Sequence, residues 1–204
     1  MGRCSDARER LVATAVRLFR ERGYTAVSVA DICEAADLKK GSFYHFYASK
    51  LDLVLEAIDE YAKGYAELAS LGAREGMSAP MQLQAMFAAL RSNVAQRCVQ
   101  DGCARGCPVG NLAMEMADRE EAIRRKVALI FDQLRAAFEA IISRGVATGE
   151  LRSDDPRRTA EALVATIQGA MVLTKTANDP QVFDRLISGA MQTLTPMQPT
   201  AAPA

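Results

Sequence analysis

Apolar residues recur every three or four positions along almost the whole chain, and this spacing limits the fold more than any other feature. Examples are Leu11, Ala15 and Leu18 early in the chain and Ile123 and Val127 later. Such spacing places apolar side chains on one face of an α-helix. No convincing alternation of apolar and polar residues marks a strand. We therefore predict an all-α fold of about nine helices.

Residues that favour helix ends divide the pattern into segments. We expect Gly23 to end the first helix, and Ser28 and Ser49 to cap the second and fourth. Asp154 or Asp155 comes before Pro156, and proline is tolerated in a first helical turn, so a helix is predicted to begin there. Another helix is predicted to run to about residue 97, and a long one to stop near Gly145 and Gly149.

The charge distribution and the cysteine content limit the classes of protein to which the chain could belong. Lys plus Arg equals Asp plus Glu, so the net charge is zero, but residues 1–50 carry +3 and the remaining residues −3. A basic first segment on an acidic body hints weakly at an anionic partner for that segment. The five cysteines are an odd number, no signal-like apolar stretch opens the chain, and no apolar run approaches a membrane span. We expect a cytoplasmic protein with reduced thiols and no membrane association.

Residues 28–47 have the pattern of two short helices joined at a tight turn. Asp37 tolerates the left-handed backbone that such a turn requires. Ala30 is small enough for the helices to cross, and Ile32 and Phe43 are spaced to anchor them. The second helix then exposes donors for phosphates and base edges, and it is short enough to enter a major groove. These donors are Lys39, Lys40, Ser42, Tyr44 and His45.

This region resembles the TetR family of bacterial repressors. The similarity lies in residues 18–24 (LFRERGY), residues 28–32 (SVADI) and, most strongly, residues 40–50 (KGSFYHFYASK), and it covers roughly residues 8–58. Three positions depart from the usual family pattern: Asp37 replaces Gly, Lys39 replaces Ser or Thr, and Leu51 replaces Glu. The change at Lys39 suggests an altered operator preference.

The resemblance implies an operator-binding helix-turn-helix that contacts double-stranded DNA. Gly41 would allow close approach to the bases, and Lys50 would reach a phosphate from the start of the fourth helix. Phe43 and Tyr47 are expected in the core instead. The full predicted DNA-binding set is Ser28, Lys39, Lys40, Gly41, Ser42, Tyr44, His45 and Lys50.

The resemblance also implies an organisation into two domains and a homodimer. We predict a DNA-binding domain over residues 1–48, an effector-binding and dimerisation domain over residues 49–194, and a disordered tail over residues 195–204. The last two helices have apolar faces that a lone protomer could not easily cover. Small residues, among them Ala165 and Gly169, would let these helices pack closely in a four-helix bundle formed by two protomers.

The small-molecule effector cannot be named from the sequence. Six apolar side chains could line a pocket for it: Met86, Leu90, Met114, Phe131, Phe138 and Met171. Residues at helical spacing are more often simple core, so both interpretations stay open. No cluster of charged residues selects one ligand.

Residues 102–112 (GCARGCPVGNL) resemble a segment of one TetR subgroup in which electrophile- and oxidant-responsive repressors occur. Cys107 would match the cysteine of that subgroup. It precedes Pro108 at a predicted helix start, where the helix dipole favours a thiolate, and Arg105 adds positive charge. Cys103 could serve as a resolving partner. Packing as small apolar residues is the open alternative for both cysteines.

Two other classes of function compete with a DNA-binding regulator. A cysteine enzyme usually needs a histidine base, and the only histidine, His45, lies in the helix-turn-helix, so we expect no enzyme and no cofactor. A thiolate metal sensor using Cys98, Cys103 and Cys107 is the alternative function, although the spacing contains no CxxC.

Overall fold

A computed structural model of the protein describes residues 2–73 and 76–194. Nine α-helices and no strand occur in these residues, which confirms the predicted all-α fold. The predicted tail over residues 195–204 lies outside the described residues. The helices are α1 (Gly2–Arg22), α2 (Val29–Ala35), α3 (Lys40–Phe46), α4 (Lys50–Gly72), α5 (Ala79–Asp101), α6 (Pro108–Met116), α7 (Glu121–Ala147), α8 (Pro156–Ala177) and α9 (Pro180–Leu194).

The predicted helix ends are largely confirmed. Gly23 follows α1 with a φ of 85°, a backbone conformation that favours glycine. The Ser28 hydroxyl accepts a hydrogen bond from the Asp31 N–H, and the Asp31 carboxylate accepts one from the Ser28 N–H, which completes a capping box. The Ser49 hydroxyl accepts from the backbone of α4, and the Asp155 side chain from the backbone of α8.

One predicted helix end is wrong. Helix α5 continues four residues past the predicted end, to Asp101. Helix α7 ends at Ala147, between Gly145 and Gly149, as predicted. A Cβ atom at position 145 would lie 2.6 Å from Leu151 Cδ1 and 2.7 Å from Ala79 Cβ. Close packing therefore accounts for Gly145, which lies within the last turn of the helix.

The chain packs as two compact units, and each unit combines separate stretches of sequence. The first unit contains the chain up to Tyr65 together with Arg105–Ile130, and the second contains Ala66–Ala104 together with the chain from Phe131 onward. The first unit thus holds α1 to α3, most of α4, all of α6 and the start of α7. The predicted functional boundary at residue 48 stays a prediction, because packing follows a different division.

Each unit has its own apolar core. In the first unit, Leu11, Leu18 and Phe43 are fully buried or nearly so. In the second unit, the rings of Phe87 and Phe138 stack with centroids 5.6 Å apart. None of the helices in the described ranges has the length and apolar character that crossing a bilayer requires.

Candidate nucleic-acid interface and thiol site

The turn between α2 and α3 is closed by two backbone hydrogen bonds. The N–H of Leu38 donates to the carbonyl of Cys33, and the N–H of Asp37 donates to the carbonyl of Glu34. Together with a φ of 51° at Asp37, this is a Schellman motif. The prediction that Asp37 takes a left-handed conformation is confirmed. The two short helices are therefore joined by a defined turn that fixes their angle.

Arg10 on α1 supports this turn, a role that the sequence analysis missed. Its guanidinium donates to the carbonyls of Ala36 and Asp37, and it lies 3.5 Å from the Asp37 carboxylate. These carbonyls close the end of α2, where helical partners are lacking. The contact joins residues 26 positions apart in sequence, and the local pattern around Arg10 gave no sign of it.

Helix α3 has one buried side and one exposed side. Phe43 is fully buried, and Tyr47, just after the helix, donates its hydroxyl to Glu56 at 2.7 Å. Burial and the hydrogen bond with Glu56 raise the pKa of Tyr47 to about 12. The opposite side presents Tyr44 with 59% of its surface exposed. Exposed with it are Lys39, Lys40, Gly41 and His45, while Ser42 is half-buried.

Two members of the predicted DNA-binding set already have partners within the protein. Ser28 is exposed, but its hydroxyl caps α2. The Lys50 ammonium group donates to the carbonyls of Tyr24 and Val27, at 3.0 and 2.9 Å, and lies 4.0 Å from the centroid of the Tyr24 ring. Burial lowers the pKa of Lys50. A DNA phosphate would compete with these carbonyls, and the phosphate contact of Lys50 stays a prediction.

Cys107 lies at the start of α6, as its position before Pro108 predicted. It is the N-cap residue, and its Sγ accepts a hydrogen bond from the Gly110 N–H at 3.2 Å. The Tyr65 hydroxyl of α4 lies 2.9 Å from the same sulfur. The side chain of Cys107 is only 4% exposed, and the cysteine is free. The thiol is therefore buried between a helix start and a phenol.

The loop before Cys107 is hydrogen-bonded to α1 and to α6. The Arg105 guanidinium donates to the carbonyl of Glu21 at the end of α1, at 3.1 Å. The Asn111 side chain donates to the carbonyl of Arg105 at 2.8 Å. Arg105 therefore joins this loop to α1, and its predicted influence on the thiol stays a prediction.

The sequence matches two family descriptions that together cover most of the chain. Residues 11–57 match "Bacterial regulatory proteins, tetR family", and residues 79–190 match "Tetracyclin repressor-like, C-terminal domain". The HTH-type transcriptional repressor DhaR of Mycobacterium sp. (strain GP1) is 30% identical over 94% of both chains. The protein belongs to the TetR family.

Solved structures agree with this assignment. A TetR regulatory protein from Rhodobacter sphaeroides has a TM-score of 0.81 at 27% identity, over 93% of this chain and 99% of that one. The reduced form of Escherichia coli NemR shares the fold, with a TM-score of 0.78 at 22% identity over 94% and 100% of the two chains. The first TetR-family match contains α2, the turn and α3, and the second contains Cys107.

The apolar side chains predicted to line an effector pocket differ in their surroundings in this TetR-family protein. Met86 and Phe138 are fully buried in the second unit, and a Cβ added at Gly72 would lie 2.9 Å from the Met86 sulfur. Leu90 and Met171 are buried as well, and Phe131 is half-buried. Met114 differs from the other five, because it is 86% exposed and belongs to the first unit, and the pocket itself stays a prediction.

The thiolate metal sensor receives no support. Within the described part of the chain, no three His, Cys, Asp or Glu side chains group in a way that could hold a metal ion. Burial, with the negative charge of Asp101 and the neighbouring Cys103, raises the pKa of Cys98. A raised pKa disfavours the thiolate that a soft metal needs.

Proposed function

We propose that this TetR-family repressor binds an inverted-repeat operator as a homodimer, through the exposed side of α3. The observation that carries the proposal is the arrangement of α3, whose buried Phe43 fixes the helix while Tyr44, Lys40 and His45 face outward. A short helix held by a defined turn and presenting such donors suits a major groove. As a regulator without a proposed catalytic role, it would act on DNA in the cytoplasm.

Apolar exposure on α8 and α9 supports the homodimer. Val172 and Leu173 on α8 are each more than half exposed, and Leu186 on α9 is exposed as well. Gly169 on α8 has no neighbouring atom within 4 Å of where a Cβ would lie, so a second helix could approach it closely. Pairing these faces around a two-fold axis would form a four-helix bundle and present two copies of α3 to two half-sites.

We further propose that thiol-reactive effectors release the repressor from DNA by modifying Cys107. The supporting observations are its place as the N-cap of α6 and its contacts with Tyr65 and Gly110. Because the thiol is buried, an adduct has no room in the present packing and must displace α6 or Tyr65. The related repressor NemR is known in a reduced form. Cys103 stays the predicted resolving partner.

Operator selection from random DNA followed by fluorescence anisotropy tests the DNA-binding proposal. Tyr44→Ala is expected to weaken binding to the selected operator at least tenfold. Met114→Ala is the matched control, because it also removes an exposed large side chain, from α6. Unchanged affinity of a folded Tyr44→Ala protein would refute the assignment of α3. A monomer in sedimentation at micromolar concentration would refute the homodimer.

The release proposal is tested with p-benzoquinone. Wild type should lose operator binding, Cys107→Ser should retain it, and Cys98→Ser should respond like wild type. If wild type and Cys107→Ser respond equally, or neither responds, the thiol mechanism fails. A small apolar effector bound non-covalently in the second unit would then be the better account of release.

A further inference from the structure

The loop between α1 and α2 is held from two sides by charged side chains. The Glu115 carboxylate of α6 accepts hydrogen bonds from the N–H groups of Tyr24 and Thr25, at 2.9 and 2.6 Å. The Lys50 ammonium group donates to the carbonyls of Tyr24 and Val27 of the same loop. Amides on one side and carbonyls on the other are thus both satisfied by ionised groups, which form stronger hydrogen bonds than neutral ones.

The environment of Glu115 fits an ionised acceptor. Burial raises the pKa of this carboxyl, but the hydrogen bonds from Thr25 and Tyr24 and the positive charge of Lys50 outweigh burial, so its pKa lies below the usual value. A Cβ at Gly23 would lie 3.0 Å from Glu115 Oε2, so the glycine leaves room for the carboxylate. The charge of Glu115 therefore supports the contact, and the glycine does not crowd it.

Glu115 shares a short helix with Cys107. Cys107 caps the start of α6, and Glu115 is its next-to-last residue. Glu115 follows Cys107 by eight positions, which is about 12 Å along the helix axis at 1.5 Å per residue. A helix this short is stiff. A displacement of its first residues therefore also displaces Glu115 near its end, which contacts the α1–α2 loop.

The loop in turn determines where α2 begins. Val27 is fully buried, and Ser28 caps α2 directly after it. Helix α2 is joined to α3 by the turn at Asp37, which leaves little freedom between the two helices. The position of the Tyr24 and Thr25 amides therefore bears on the orientation of α3.

We propose that Glu115 is a positioning residue that ties α6 directly to the α1–α2 loop, and that a change at Cys107 reaches α3 through this carboxylate. The second half rests on the proposed function of Cys107, whereas the first half does not. The coupling is a contact between α6 and the backbone of the α1–α2 loop, and it does not involve the side chains that face DNA.

The experiment compares wild type, Glu115→Ala, Glu115→Gln and the control Asp118→Ala, all as full chains. Asp118 is acidic and largely exposed, so its replacement removes the same charge nearby without touching the loop. Three quantities are measured: hydrogen exchange of the Tyr24 and Thr25 amides, operator affinity by anisotropy, and the loss of affinity caused by p-benzoquinone.

We expect Glu115→Ala to exchange these amides at least tenfold faster and to bind the operator about tenfold more weakly. Quinone treatment, which should weaken wild type at least tenfold, should change Glu115→Ala less than twofold. Glu115→Gln keeps one acceptor oxygen and should be intermediate, and Asp118→Ala should match wild type. If Glu115→Ala does not fold, Glu115→Gln decides the question by the same three measurements.

The proposal would be overturned if the Glu115 variants exchanged the Tyr24 and Thr25 amides at the wild-type rate. It would also be overturned if they bound the operator with wild-type affinity and lost that affinity to quinone as wild type does. A wild type that ignores quinone would refute the role of Cys107 and the coupling to it. In that case, amide exchange and operator affinity would still decide whether Glu115 positions the loop. If Glu115 only stabilised the fold, its replacement would lower the stability of the protein, but the folded fraction would respond to quinone as wild type does.

Discussion

The hydroxyl of Tyr65 lies 2.9 Å from the sulfur of Cys107, although the two residues are 42 positions apart. The tyrosine belongs to α4, the helix that follows the DNA-binding segment, and the cysteine caps α6. This contact places the thiol that is proposed to control release from DNA against α4. Removal of the Tyr65 hydroxyl should therefore alter the reactivity of the Cys107 thiol.

Tyr65→Phe should slow the alkylation of Cys107. A thiolate at this site would accept hydrogen bonds from both the Tyr65 hydroxyl and the Gly110 N–H, and the variant leaves only the second. We expect iodoacetamide labelling, followed by mass spectrometry of the Cys107 peptide, to slow severalfold. Labelling of Cys98 serves as the internal reference. Equal or faster labelling of Cys107 would show that the phenol only shields the sulfur.

Lys40→Ala should reduce the salt dependence of operator binding. If the exposed ammonium group contacts a phosphate, its loss removes about one counterion released on binding, so the slope of log K against log[salt] becomes shallower by about one. Lys63→Ala, which removes an exposed lysine on α4, should leave the slope unchanged. A changed preference at one base pair, with the slope retained, would instead assign Lys40 to direct base contact.

Asp37→Gly should stabilise the protein by about 0.5–1 kcal/mol in urea denaturation, because glycine adopts the left-handed conformation at less cost. The lost ion pair with Arg10 is exposed and contributes little. Asn178→Gly is the matched comparison. Asn178 is also left-handed, but its side chain accepts the Ala104 N–H at 2.8 Å, so we expect no gain there. A gain at both sites or at neither would contradict this account.

The contribution of Glu115 to the stability of the folded protein should decrease on acidification. Its pKa is lowered in the folded protein, so its stabilising effect is fully present above the unfolded value of about 4.5 and is lost as the pH falls through the folded value. The difference in Tm between wild type and Glu115→Gln should therefore be constant from pH 7 to about 5.5 and shrink below about 4.5. A difference that grows on acidification would contradict the lowered pKa.

Features set by neighbours in sequence were predictable. The left-handed turn at Asp37 follows from residue type and from the two short helical patterns beside it. The start of α6 at Cys107 follows from the proline after it. In each case, the determining atoms lie within a few residues, so one stretch of sequence contains the necessary information.

Features set by packing between distant segments were not predictable. Thr25 and Glu115 are 90 positions apart, and nothing near either residue indicates their contact. Gly145 helped to locate the end of α7, but its sequence neighbours do not show that its small size accommodates Leu151 and Ala79. Lys50 was assigned to a phosphate by family resemblance, but packing beside Tyr24 gives its ammonium group two carbonyl partners.

The inclusion of Arg105–Ile130 in the same unit as α1 to α3 limits how this repressor could be recombined with its relatives. A chimaera that joined residues 1–48 to a foreign body would separate Thr25 from Glu115, because the two residues would then come from different parents. The exchangeable module is therefore discontinuous. A hybrid designed to retain the operator preference of this protein would need to carry residues 105–130 with the first 65, which makes the Cys107 segment part of the module to be transplanted.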